Sequence, residues 1–166
     1  MRVNKGLMIA ATFDPTKRTS LITVADMCRK IEENSISLPL YQRDISWTLQ
    51  KCIDLLNYQL WGKAPVSPIS INVINTVDSA VPQVSFIDRE IISTIERGQY
   101  SVVDGQQRLT TNYKAYCNHD DFRNIVLDLG KGEFTEVRDS IRSNQIPVGI
   151  LLNKEDTKLF EYTKAK

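Results

Sequence analysis

The stretch Tyr100-Ser-Val-Val-Asp104-Gly105-Gln106-Gln107-Arg108-Leu109-Thr-Thr111 constrains the fold more than any other part of the sequence. A β-branched run ends at Asp104-Gly105 and passes at once into a helical pattern reaching about Tyr116. A helix entered so abruptly leaves its first backbone N–H groups without internal partners, at the positive end of its dipole. Such a junction can hold an anion, and Gly105 lets a phosphate approach the backbone closely. Arg108 lies one turn further on, where a guanidinium can fork onto phosphate oxygens. Gln106 and Gln107 add neutral donors and acceptors suited to a base, a ribose or a water. On spacing alone a plainer alternative is the stronger one, with Asp104 an ordinary N-cap and Arg108 a surface residue. Neither G-x-x-x-x-G-K-[ST] nor G-x-G-x-x-G occurs.

Around this junction the periodicity predicts a helix from Thr23, with Val24, Met27, Cys28 and Ile31 on one face and Thr23 as N-cap. A second helix is predicted over Leu49 to Leu60, ended by Gly62 and Pro65. Ile36 to Tyr41 reads as extended, and Pro68 to Ile74 as an alternating strand. Further strands are expected at Val84–Ile87, Tyr100–Val103, Ile125–Leu129 and Ile146–Leu152, while residues 88–97 fit neither pattern well. The mixture argues for α/β or α+β.

With 166 residues the chain is long enough to bury one core without metal or disulfide staples. Residues 1–20 read as an amino-terminal arm and 21–166 as a single domain. A net charge of +1 excludes a protein held to nucleic acid by bulk electrostatics, although the first thirty residues carry six basic against two acidic side chains. Cys28, Cys52 and Cys117 form no C-x-x-C pair, so neither zinc nor a disulfide framework is expected, and a reducing, cytoplasmic compartment is the default. The apolar run near Met1–Ala11 is too short for a signal peptide, and no stretch is long enough to span a bilayer. The single histidine, His119, is expected to close the helix before it rather than to bind metal.

A second informative segment is Leu38-Pro39-Leu40-Tyr41-Gln42-Arg43-Asp44-Ile45-Ser46-Trp47. It reads as a loop presenting Gln42, Arg43 and Asp44, with Trp47 packed as its anchor. A structural pairing of Arg43 with Asp44 or Asp54 is the plain alternative. The two segments together, Leu-Pro-x-Tyr-Gln-Arg-x-x-x-Trp followed about sixty residues later by Val-Asp-Gly-Gln-Gln-Arg-Leu-Thr-Thr, resemble the amino-terminal domain of GmrSD-type restriction proteins. The resemblance spans roughly residues 20 to 152.

That resemblance implies an α+β fold of the ParB/sulfiredoxin-like kind, a mixed sheet flanked by helices. It implies a nucleoside triphosphate site at Gln42, Arg43, Asp104, Gly105, Gln106, Gln107 and Arg108, with Gln42, Asp104 and Gln107 as the residues placed for hydrolysis. Mg²⁺ would enter with the nucleotide on Asp104 or Asp44, directly or through water. In ParB proteins the matching turn is Gly-Glu-Arg-Arg, of which Gly105 and Arg108 keep the outer positions. The Cys and His of sulfiredoxin are replaced by Gln106 and Gln107, so sulfinic acid reduction is not expected. The family's helical region and HNH nuclease are not recognisable, which makes a nuclease partner protein and an indirect link to DNA the expected context. Two alternatives remain open: a ParB-like DNA-binding or nicking module, and a catalytically silent protein-interaction domain.

Overall fold

A computed structural model describes residues 20–44, 46–63, 68–78, 80–152, 162 and 164. Lys17 and Arg18, with the rest of the basic amino end up to residue 19, lie outside the described residues, as does Pro65. The first helix, α1 (Val24–Glu32), starts where the pattern places it. Thr23 Oγ1 accepts a hydrogen bond from the Asp26 backbone N–H at 3.1 Å, and Met27, Cys28 and Ile31 are buried. The second helix, α2 (Leu49–Leu60), is capped in the same way, by Thr48. Its inner face carries Cys52, Ile53 and Leu56 into the core.

Four strands form a mixed sheet: β1 (Ile36–Pro39), β2 (Ser70–Val73), β3 (Gln83–Val84) and β4 (Tyr100–Asp104), in the order β2-β4-β1-β3. The central pair, β1 and β4, is parallel, with Ile36 opposite Tyr100 and Ser37 opposite Ser101. The two outer strands are antiparallel to their neighbours. Edge position explains why β2, predicted to alternate between faces, has all four residues exposed. The strand predicted over Val84–Ile87 shrinks to Gln83–Val84. The chain turns back instead, the Ser85 N–H donating to Glu90 O and Ile91 bridging Val84.

After β4 comes α3 (Gln106–Tyr116), then a short 3-10 turn at Asp120–Phe122. A second sheet follows, antiparallel, of β5 (Ile125–Asp128), β6 (Glu133–Glu136) and β7 (Gln145–Pro147), in the order β6-β5-β7. The strand expected over Ile146–Leu152 is corrected here: β7 stops at Pro147, and Val148–Leu152 forms α4. Proline has no N–H to continue a ladder, and its fixed φ suits the entry to a helix. Gly149 then lets α4 close on the end of α3, since a Cβ there would lie 2.5 Å from Asn118 Oδ1.

The chain is thus α+β. One buried cluster, including Leu38, Val84, Phe86 and Val102, lies against the mixed sheet. Another, including Ile53, Leu56, Phe134 and Val148, joins α2 to the second sheet. Helix α3 serves both, giving Leu109 to the first and Ala115 to the second. Asn57 links α2 to β6 through two buried hydrogen bonds, Nδ2 donating to Phe134 O at 3.0 Å and Oδ1 accepting from its N–H at 2.6 Å. Among the described residues no helix is long and apolar enough to cross a membrane.

Candidate functional site

Parallel neighbours end at the same edge of a sheet, and loops leaving their carboxyl ends form a crevice there. Here β1 leaves through Leu40–Asp44, and β4 leaves through Gly105 into α3. Between them lies a cleft of about 630 Å³, lined by both segments the sequence singled out. That size lies within the range of roughly 300–1,000 Å³ common for small-molecule sites.

Gly105 occupies the N-cap position of α3, with φ +97° and no side-chain cap. The plainer sequence reading, Asp104 as N-cap, is therefore corrected. Its carboxylate stands 3.8 Å from the Arg108 guanidinium instead, and is mostly exposed. Glycine is required at 105 on two counts. Its φ disfavours L side chains, and a Cβ would lie 2.9 Å from Ile69 Cγ1 and 3.3 Å from Arg108 Nη2. Arg108 Nη2 also donates to Pro68 O at 3.2 Å, which holds the guanidinium beside the helix start.

The three glutamines brace the cleft walls. Gln42 Nε2 donates to Val102 O at 2.8 Å and Val103 O at 2.9 Å, so one side chain continues the pairing of β1 with β4 past the last ladder residues. Gln106 is buried, and its Nε2 donates to Arg43 O at 3.2 Å. Gln107 Oε1 accepts from the Ser46 and Trp47 N–H groups, both at 3.3 Å. Each motif thereby grips the other. Arg43 is exposed on the cleft wall and forms no ion pair among the described residues. Trp47 packs against the second core cluster, as an anchor should.

Asp44 does not join this group. Its carboxylate lies 3.4 Å from Arg89 Nε, so neither of the pairings considered for Arg43 forms; Asp54 accepts from Gln50 instead. Arg89 also donates through Nη2 to Leu40 O at 3.3 Å and to Gln42 O. Sequence reasoning missed Arg89, which stands forty-five positions beyond Asp44 in a segment without periodicity. Among the described residues no group of three or more His, Cys, Asp and Glu is arranged to hold a metal. Of the two carboxylates read as Mg²⁺ ligands, Asp104 lines the cleft and Asp44 does not.

Among the described residues no cysteine or histidine lines the cleft. Cys28 is buried in α1, and burial pushes its thiol up to about 12. Burial likewise raises the Tyr113 hydroxyl to about 12. Cys117 is the C-cap of α3, and the His119 N–H closes the helix by donating to Lys114 O at 2.9 Å, while His119 Nδ1 accepts from the Asp121 N–H at 3.2 Å, opening the 3-10 turn.

The arrangement gives two arginines, an uncapped helix start held open by glycine, and one exposed carboxylate around a cleft. A search of curated proteins finds no match to the chain. The family described as GmrSD restriction endonuclease, N-terminal domain, matches residues 24–165, which include both cleft segments. By that match, over most of its length, the chain belongs to the family of GmrSD restriction endonuclease N-terminal domains.

Proposed function

We propose that the cleft binds a nucleoside triphosphate with Mg²⁺, and that this domain regulates a DNA-cleaving, restriction-type system by binding and hydrolysing it. The observation that carries the reading is Gly105, an N-cap in the left-handed region with no side chain over the helix start. Phosphate placed there meets backbone N–H groups and the positive end of the α3 dipole. Arg108 stands beside it, and Arg43 faces it from the opposite loop, so the two guanidinium groups neutralise charge from two directions. Asp104 would hold Mg²⁺ together with the nucleotide, and the ion would supply shielding of the charge on the phosphoryl group.

The glutamines carry a different share from the one the family resemblance implies. With Gln42 Nε2 and Gln107 Oε1 committed to backbone partners, their first task is to hold the loop bearing Arg43 against α3. Gln42 Oε1 and Gln107 Nε2 still offer an acceptor and a donor for orienting a water. A ParB/sulfiredoxin-like relationship and a cytoplasmic setting with a nuclease partner belong to the same proposal.

Calorimetric titration with each nucleoside triphosphate and Mg²⁺ tests the reading. Arg108→Ala should abolish the binding while leaving the urea midpoint close to that of the parent protein. An absence of heat at millimolar nucleotide would sink the proposal. Binding of DNA alone, weakened by salt, would favour the module without nucleotide.

A further inference from the structure

Arg89 sits at the tip of the turn joining β3 to Ile91, outside the cleft lining. Its φ is +58°, a conformation that β-carbon-bearing residues rarely adopt. A turn selected only for shape would carry glycine or asparagine there. The guanidinium points away from the turn and onto the first cleft loop. Nη2 donates to two carbonyl oxygens, of Leu40 and Gln42, and Nε faces the Asp44 carboxylate at 3.4 Å. Nη1 is shut away from solvent with no hydrogen-bond partner among the described residues. A strained backbone and an orphaned buried donor are two unfavourable features in one residue.

We propose that Arg89 is a positioning residue for the nucleotide site: it fixes the Leu40–Asp44 loop from behind so that Arg43 faces the helix start at Gly105. This rests on the nucleotide-binding reading above. Beside Arg89, the Leu40 N–H donates to Pro82 O at 2.8 Å and the Gln42 N–H closes a turn onto Pro39 O at 3.0 Å. Gln42 ties it to β4 and Gln106 ties Arg43 O to α3, both on the cleft side. Arg89 supplies the opposing contacts on Leu40, Gln42 and Asp44, and its flat, forked donor set can reach two carbonyls and a carboxylate together. Asp44 thereby gains a role other than cation binding, as the acidic end of this brace.

Arg89→Gly separates positioning from architecture. Glycine accepts φ +58° without strain, so the fold should keep its urea midpoint or gain slightly. The hydrogen-bonded amides of the loop, Leu40 and Gln42, should exchange hydrogen at least several-fold faster, with the rest of the chain unchanged. If the loop is then correctly placed about a tenth of the time, affinity for nucleoside triphosphate with Mg²⁺ falls about tenfold. Arg89→Lys, which keeps charge and can reach one carbonyl, should recover part of both losses. Three results would overturn the proposal: loop exchange at parental rates, exchange that rises evenly across the chain with a lower midpoint, or faster loop exchange with unchanged affinity. Failure of the parent protein to bind any nucleoside triphosphate would instead refute the functional reading. The exchange comparison would still decide whether Arg89 braces the loop.

Discussion

Gly105→Ala is the substitution whose effect follows most directly from the geometry. Two penalties add at this position. An alanine with φ +97° lies outside the regions open to L residues, at a cost of about 1–2 kcal/mol. The new Cβ would also lie 2.9 Å from Ile69 Cγ1, well inside the roughly 3.5–4.0 Å at which carbon atoms rest. Ile69 is partly buried against the first core cluster, so relief requires a shift of that side chain and costs about 1 kcal/mol more. The total, about 2–3 kcal/mol, should lower the melting temperature by roughly 5–10 °C in a chain of this size. Calorimetric melting and urea titration both measure it. Ile69→Ala removes the contact but not the φ strain, so in a double-mutant cycle the two substitutions should couple favourably by about 1 kcal/mol. A melting temperature within 2 °C of the parent, to the nearest ~2 °C expected per ~1 kcal/mol, or no coupling in the cycle, would refute the left-handed N-cap described for this junction.

Other consequences concern the second sheet and the thiols. Asn57→Ala breaks both bonds to Phe134 and strands a buried backbone N–H and C=O, costing about 2–4 kcal/mol by urea titration. Hydrogen bonding from Gln145, with the Gly130 and Lys131 N–H groups, holds the Asp128 carboxyl below its ordinary 3.8. A lowered carboxyl stabilises the fold fully above the unfolded value and loses that contribution as pH falls toward the folded one. Stability should therefore drop with acid below about pH 4, and Asp128→Asn should flatten that limb of the curve. Ellman titration of the native protein should find Cys117 alone, with Cys28 and Cys52 reacting only in denaturant.

Where the signal is local, sequence and structure agree closely. The amphipathic stripes of α1 and α2 and the Thr23 cap need only neighbours in the chain, and both helices begin where those patterns place them. The β4–α3 junction is legible for the same reason. Tertiary determinants are not. Pro147 lies inside an apolar run that alternation cannot divide, so β7 and α4 merged into one predicted strand. Strand β6 carries a single buried apolar residue, Phe134, and is completed by Asn57 from a distant helix. Gln42, Gln106 and Gln107 stand out in the sequence, and all three line one cleft. Their bracing contacts span about sixty residues of sequence and could not be read from it. Arg89 has no local marker at all, because its meaning lies in the carbonyl groups it meets across the fold.

The glutamine contacts also separate two properties that usually change together. A carboxamide neither titrates between pH 4 and 10, to a rough limit, nor carries net charge for salt to screen. The three side chains that tie the cleft walls together therefore keep their bonds across buffers in which the exposed ion pairs at Asp44 and Asp104 strengthen and weaken. Ionic strength thus acts on the charged part of the brace, the exposed pair of Arg89 with Asp44, while the part the amides hold stays as it is.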